Sequence, residues 1–220
     1  MRRTALVLIP AVLVLAACGE PSAPSVTGPN ASLTDAAAIE EALSGTPAEV
    51  GGPYGELRDG VWEIGAAGEV EFRVAGDDLE LVEARVNDGW TITEQKDGSN
   101  KIEVDYRSGP VSYDFEVELR RGVMKLQIDQ KIEPAEPGTF AIGEAGTAPV
   151  SVADGRLVLG DVSLAEGWAE AARDGDKDDF QLDLRRDGAD LVELWKLKGD
   201  LKRDKLEIEV DYEIEGRLAQ

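Results

Sequence analysis

Leu206-Glu207-Ile208-Glu209-Val210-Asp211-Tyr212-Glu213-Ile214 alternates apolar and acidic residues without a fault. Successive side chains of a β-strand point to opposite faces, so this stretch has one apolar side and one wet, acidic side. On a helix the same carboxylates would scatter all round. The pattern recurs upstream. Val70, Phe72 and Val74 alternate with Glu69, Glu71 and Arg73, and Ile102, Val104 and Tyr106 with Lys101, Glu103 and Asp105. Tyr113, Phe115, Val117 and Leu119 alternate with Asp114, Glu116 and Glu118. Such regularity predicts antiparallel strands that each bury one face. The fold class is all-β.

The strands come in two related sets. Ile64-Gly65-Ala66-Ala67-Gly68 returns 78 residues later as Ile142-Gly143-Glu144-Ala145-Gly146. At the same offset Val74-Ala75 matches Val152-Ala153, Leu79 and Leu81 match Leu157 and Leu159, and Gly89-Trp90 matches Gly167-Trp168. Asp105 and Arg107 fall on Asp183 and Arg185. So many matches in register indicate a tandem duplication, with one copy over 56–134 and the other over 138–220. The second copy has about four extra residues. They are assigned here to two turns, Asp187–Asp190 and Gly199–Lys205, an arrangement that sets Phe115 against Trp195.

Ala75-Gly76-Asp77-Asp78 and Ala153-Asp154-Gly155-Arg156 share the chemistry of a two-residue hairpin turn. Just beyond, the alternation slips parity at the same place in both copies, which predicts a β-bulge near 81–82 and 159–160. Each copy reads as about five antiparallel strands. A sheet with one apolar face must cover it, so the expected architecture is a sandwich or two small barrels.

The chain opens differently. Arg2 and Arg3 precede an apolar run from Thr4 to Leu15, too short to span a bilayer of about 30 Å as a helix. Cys18, the only cysteine, follows Leu15-Ala16-Ala17 directly. This segment resembles the lipobox of bacterial lipoprotein signal peptides. The resemblance implies that 1–17 are removed, that Cys18 carries a diacylglycerol, and that the mature chain stays extracytoplasmic. It would be held to the outer face of the cell membrane, or to an outer membrane where the cell has one. Residues 18–55 then form an anchored linker, rich in Pro, Ser, Gly and Ala from Gly19 to Ala31, with a short helix expected over 33–44 behind the capping pattern Ser32-Leu33-Thr34-Asp35.

Composition excludes several classes. Forty-five acidic against 23 basic residues give a net charge of −22, which repels phosphate backbones, so no nucleic-acid partner is expected. The chain has no histidine. Ser-His-Asp and Cys-His catalysis therefore drop out, along with most zinc, copper and non-haem iron sites. Gly-rich phosphate loops and Gly-x-Ser-x-Gly elbows are missing too. The chain is not expected to be an enzyme.

Four features could carry a site. Trp90 and Trp168 each follow a Gly at the end of the bulged strand; they could stack a ligand, but the better reading is that they plug the core. Asp174, Asp176 and Asp178 have the one-three-five spacing of a calcium loop, the only cofactor suggested. Asp179 stands where such a loop needs Gly, however, and Arg185 where it needs Glu, so a solvated turn is preferred. Lys196, Lys198, Lys202, Arg203 and Lys205 form the only basic cluster, read as guarding a hairpin rather than binding an anion. Paired carboxylates on the strands could serve glycoside hydrolysis, but alternation on a wet face already explains them. The expected function is thus a membrane-anchored, non-catalytic binding or structural module of the cell envelope, its partners an envelope protein or a wall polymer. The rival is a carrier holding a small apolar ligand or lipid between the sheets.

Overall fold

The computed structural model describes Leu57 and residues 59–217, and most of these lie in strands. Copy one supplies β1 (Gly60–Ile64), β2 (Gly68–Ala75), β3 (Asp78–Val86), β4 (Thr91–Gly98), β5 (Lys101–Ser108), β6 (Val111–Arg120) and β7 (Val123–Ala135). Copy two supplies β8 (Gly138–Ile142), β9 (Gly146–Ala153), β10 (Arg156–Leu159), β11 (Ser163–Leu164), β12 (Ala169–Gly175), β13 (Asp179–Asp187), β14 (Leu191–Lys202) and β15 (Lys205–Arg217). Seven and eight strands replace the five expected. The surplus is short or polar: β12, Ala-Glu-Ala-Ala-Arg-Asp-Gly, is exposed along its whole length and has no apolar period to read.

All pairings between these strands are antiparallel. β1-β2-β3 form one small sheet, and β9 carries β8 on one edge and β10 then β11 on the other. The remaining eight strands run β12-β13-β14-β15-β7-β6-β5-β4 in one large sheet that crosses from one copy to the other. The two small sheets cover its apolar face. Phe72 of β2 meets Phe115 of β6 with ring centroids 6.2 Å apart, and the Tyr106 hydroxyl donates to the Glu69 carbonyl at 3.1 Å. A single buried cluster runs from Leu57 through Ile128 and Tyr212 to Ile214. The architecture is sandwich-like, the copies share one core, and neither half closes into a barrel. Each fully buried Leu, Ile or Phe in that core contributes about 1.5–3 kcal/mol relative to exposure.

The seam between copies is the β7–β15 ladder. It sets Gln127 opposite Glu213, Asp129 opposite Asp211 and Lys131 opposite Glu209. Asp129 and Asp211 are counterparts in the duplication, 82 residues apart at this point of the chain. The copies are therefore related by an approximate two-fold axis through that pair, as two subunits of a symmetric dimer would be.

The ladder also corrects the alignment of the copies. Asp105 faces Asp114 in copy one and Asp183 faces Lys196 in copy two, which makes Tyr113, not Phe115, the counterpart of Trp195. The turns at Gly122 and Arg203 have equal lengths. All four extra residues therefore lengthen the β13–β14 hairpin, and none lies in the Gly199–Lys205 turn. The aromatic match of Phe115 with Trp195 was the misleading signal.

Other expectations hold. The turn Asp154-Gly155 has positive φ at both residues, 53° and 69°, and closes a two-residue hairpin. The bulge is present: the β2–β3 register shifts between Glu71 and Phe72, leaving Val82 as the extra residue. In copy two Pro149 occupies the Glu71 position. Without an N–H it cannot sustain the ladder, and the partner strand splits into β10 and β11.

The repeated Ile-Gly-x-Ala-Gly is the β1–β2 and β8–β9 turn, and its residues are dictated by space. Ile64, Ala67, Ile142 and Ala145 are buried, Gly65 and Gly143 both sit at φ 48°, and a Cβ on Gly68 or Gly146 would strike the carbonyl of Arg85 or Ser163. Cys18 and the helix expected over 33–44 lie outside the described residues.

Candidate functional site

The polar face of the large sheet carries the densest ionisable chemistry in the fold. Its ladder lines up Asp105, Asp114, Asp129, Asp211, Lys196 and Asp183 in one row across six strands. Long side chains close over the middle of this row. Lys131 reaches Glu207 at 2.8 Å, Lys125 reaches Glu213 at 3.2 Å, and Lys196 reaches Glu213 at 3.3 Å. Lys198 bonds both Glu209 at 2.5 Å and Asp211 at 2.6 Å. Among taller Glu and Lys neighbours the short Asp211 side chain sits lowest, and the residue is only 2 % exposed.

Burial disfavours charge there. It pushes the Asp129 carboxyl up to about 6, against two hydrogen bonds from Gln127 Nε2 at 3.0 and 2.8 Å. It pushes Asp211 to about 7, helped by the charge of Asp129 and opposed by Lys198. Burial also works to lower the Lys198 ammonium, but its bonds to Asp211 and Glu209 outweigh this and its pKa is raised.

The basic cluster is thereby accounted for in part. Lys196, Lys198 and Lys202 zip β14 to the acidic face of β15, with Lys202 also meeting Asp200 at 2.8 Å. Cross-strand pairs of opposite charge are the ordinary currency of sheet stability.

Trp168 is a buried core aromatic, and the half-buried Trp90 packs against the core. Trp90 lies against Tyr113 with centroids 5.4 Å apart, and Trp168 is buried with the Arg186 guanidinium 4.5 Å over its ring. That arginine belongs to a charged group, centred on the buried Glu193, that alternation did not reveal. Arg186 bonds Glu193 at 2.7 Å and Glu144 at 2.6 Å, and Glu193 accepts from the Tyr212 hydroxyl at 3.0 Å. Glu193 and Arg186 close the long β13–β14 hairpin on the apolar side of the sheet. Their counterparts in copy one are Val111 and Ser108. The signal in the sequence was a carboxylate at an inward position of β14, Leu191-Val192-Glu193-Leu194-Trp195.

Asp174, Asp176 and Asp178 do not converge. The Asp174 carboxylate accepts from the Gly175 N–H at 2.8 Å, Asp176 from the Lys177 N–H at 2.6 Å, and Asp178 lies 3.6 Å from the Lys177 ammonium. Among the described residues no group of three or more acidic, His or Cys side chains is placed to hold a metal ion. Asp174 lies in β12, and Asp176 and Asp178 in the short link from β12 to β13. An open pocket of about 680 Å³ lies over β12–β15, walled by Asp174, Gln181, Lys198, Asp200 and Glu209 among others. A second, of about 540 Å³, is lined by Glu133, Lys202, Arg203, Lys205 and Glu207. Charged side chains dominate both.

Comparison of the chain with protein-family models, with curated proteins and with solved structures finds no match.

Proposed function

We propose that the chain is an extracytoplasmic lipoprotein, anchored through a lipid on Cys18, whose β domain acts in the cell envelope by binding or as structure and not by catalysis. One observation carries the reading: charge at Arg2-Arg3, a short apolar run and Leu15-Ala16-Ala17-Cys18 stand in the order that lipoprotein processing requires. Two acyl chains bury many methylenes at about 0.8 kcal/mol each, enough for stable attachment where one chain is marginal. The partner would be an envelope protein or a wall polymer met by the charged sheet face. The apolar carrier draws less support, because the space between the sheets is filled by side chains such as Ile64, Phe72, Leu126 and Leu182.

Labelling a bacterium that expresses the full chain with radioactive palmitate tests the anchor. Label should enter the wild type and stay in the membrane fraction, while Cys18→Ser should lose the label and become soluble. A labelled Cys18→Ser chain, or an unlabelled wild type, would reject it. Cross-linking the anchored protein in intact envelopes should then recover a protein or glycan partner.

A further inference from the structure

We propose that the seam between the two copies holds a proton on the Asp129–Asp211 pair, and that this proton clasps the copies together more tightly in mildly acidic than in alkaline surroundings. The geometry begins with the two-fold relation. A duplicated strand paired with its own counterpart must bring one position face to face with itself, and here that position is acidic in both copies. Directly opposed residues have Cβ atoms about 4.5–5.5 Å apart, so the two carboxyl groups are within reach of each other.

The surroundings neutralise them only in part. From β7 come Gln127, which is neutral, and Lys131, which bonds Glu207. From β15 come Glu209 and Glu213, from β6 Asp114 and Glu116, with Asp105 one strand further on β5. From β14 come Lys196, bonded to Glu213, and Lys198, which divides its bonds between Glu209 and Asp211. Asp211 Oδ2 thus has a partner and Oδ1 has no hydrogen-bond partner among the described residues, although the side chain is buried. A buried acceptor left without a donor is destabilising, and more so when it is charged. A proton on Asp211 removes the charge and turns the orphan oxygen into a donor. Glu209 is the carboxylate that already pairs with the Asp211 side chain, while Asp129, whose oxygens accept from Gln127, faces it across the seam and acts on it through its charge.

The chain has no histidine, so the interval from pH 5 to 8 is left to carboxyls displaced upward by burial. A carboxyl whose pKa is raised by folding is ionised at a cost above that pKa and escapes the cost below it. The folded state therefore gains on the unfolded one as pH falls from 8 to 5, and the gain levels off near 4, where unfolded carboxyls protonate as well. Between pH 8 and 5 a group displaced to 6 or 7 raises the ratio of folded to unfolded chain by about tenfold to a hundredfold. Asp105 and Asp114, also raised chiefly by burial, act with the same sign, so variants are needed to separate them.

Urea unfolding of the full chain at pH 8 and pH 5 is the test, with Asp211→Asn and Asp129→Asn beside the wild type. The wild type should gain stability on acidification, Asp211→Asn should lose most of that gain, and Asp129→Asn a smaller part. A wild type equally stable at both values, or an Asp211→Asn chain that gains as much as the wild type, would overturn the proposal. Should a variant not fold, infrared spectra of the wild type, Asp105→Asn and Asp114→Asn decide, because a band that all three share comes from neither Asp105 nor Asp114. A carboxylic-acid carbonyl band present at pH 6 and gone by pH 9 supports the clasp, and its absence at pH 6 refutes it.

Discussion

Gly143 shows how tightly single residues are held. It sits at φ 48°, and a Cβ there would overlap the ring of Trp195. Gly65, its counterpart, would place a Cβ 2.6 Å from the Tyr113 hydroxyl oxygen. Gly76 has a similar φ of 71° but open space around it. Gly76→Ala should therefore pay only the left-handed strain of about 1–2 kcal/mol. Gly143→Ala should add about 1–3 kcal/mol for displacing the indole, a difference that urea unfolding of both variants resolves. The pressing aromatics also differ in polarity. The Tyr113 hydroxyl accepts from Gln130 Nε2 at 2.7 Å, whereas the buried Trp195 N–H has no hydrogen-bond partner among the described residues. The glycines were visible in the sequence as a repeated motif; the rings behind them were not, because contact across layers leaves no local pattern. Asp211 was hidden for the same reason. Its parity put it correctly on the polar face, and only the lean of neighbouring Lys and Glu chains makes that position buried.

At the scale of the element, the β13–β14 hairpin departs most from its counterpart. Beside its four added residues, Arg186 and Glu193 stand on the apolar side where copy one has Ser108 and Val111, and the Glu193 side chain is 5 % exposed. Removing one member of such a pair leaves the other charge buried without compensation, at a cost of about 3–5 kcal/mol. Arg186→Ser alone should be that damaging. Adding Glu193→Val restores the residues that copy one has at these places, and the double variant should recover much of the loss in thermal unfolding. A double variant no more stable than the single one would show that the pair is not the coupled unit. Strand existence was legible wherever one face is apolar, as in β2, β5, β6 and β15. It was illegible in β4 and β12, the ends of the large sheet, whose residues are mostly or wholly exposed and thus bear no alternation. Such polar, bulged edges also resist pairing with other chains.

At the scale of the whole molecule, the seam decides the architecture. The strands announced themselves, but which edge met which did not, because β7 and β15 look alike and either could have closed on its own half. The pairing observed makes a specific demand. Copy one expressed alone, residues 56–134, would expose the β7 edge with an apolar face behind it. Two such chains can repeat the native ladder, with Asp129 opposite Asp129 and Gln127 opposite Lys131. Sedimentation should find a dimer rather than a monomer, and dissociation should grow as pH rises and the two aspartates ionise. A stable monomer would mean that copy two contributes more than the mirror of copy one.

The two-fold relation through Asp129 and Asp211 also sets the terms on which this protein can change. In a true homodimer every substitution arrives twice, so a charged group inserted at one end appears at both. Joining the halves in a single chain lifts that constraint. One half can keep Ser108 and Val111 in a plain core while the other takes up Arg186 and Glu193 beneath a tryptophan. Only the residues on the axis remain bound to each other, since an alteration to either is felt at once by its twin.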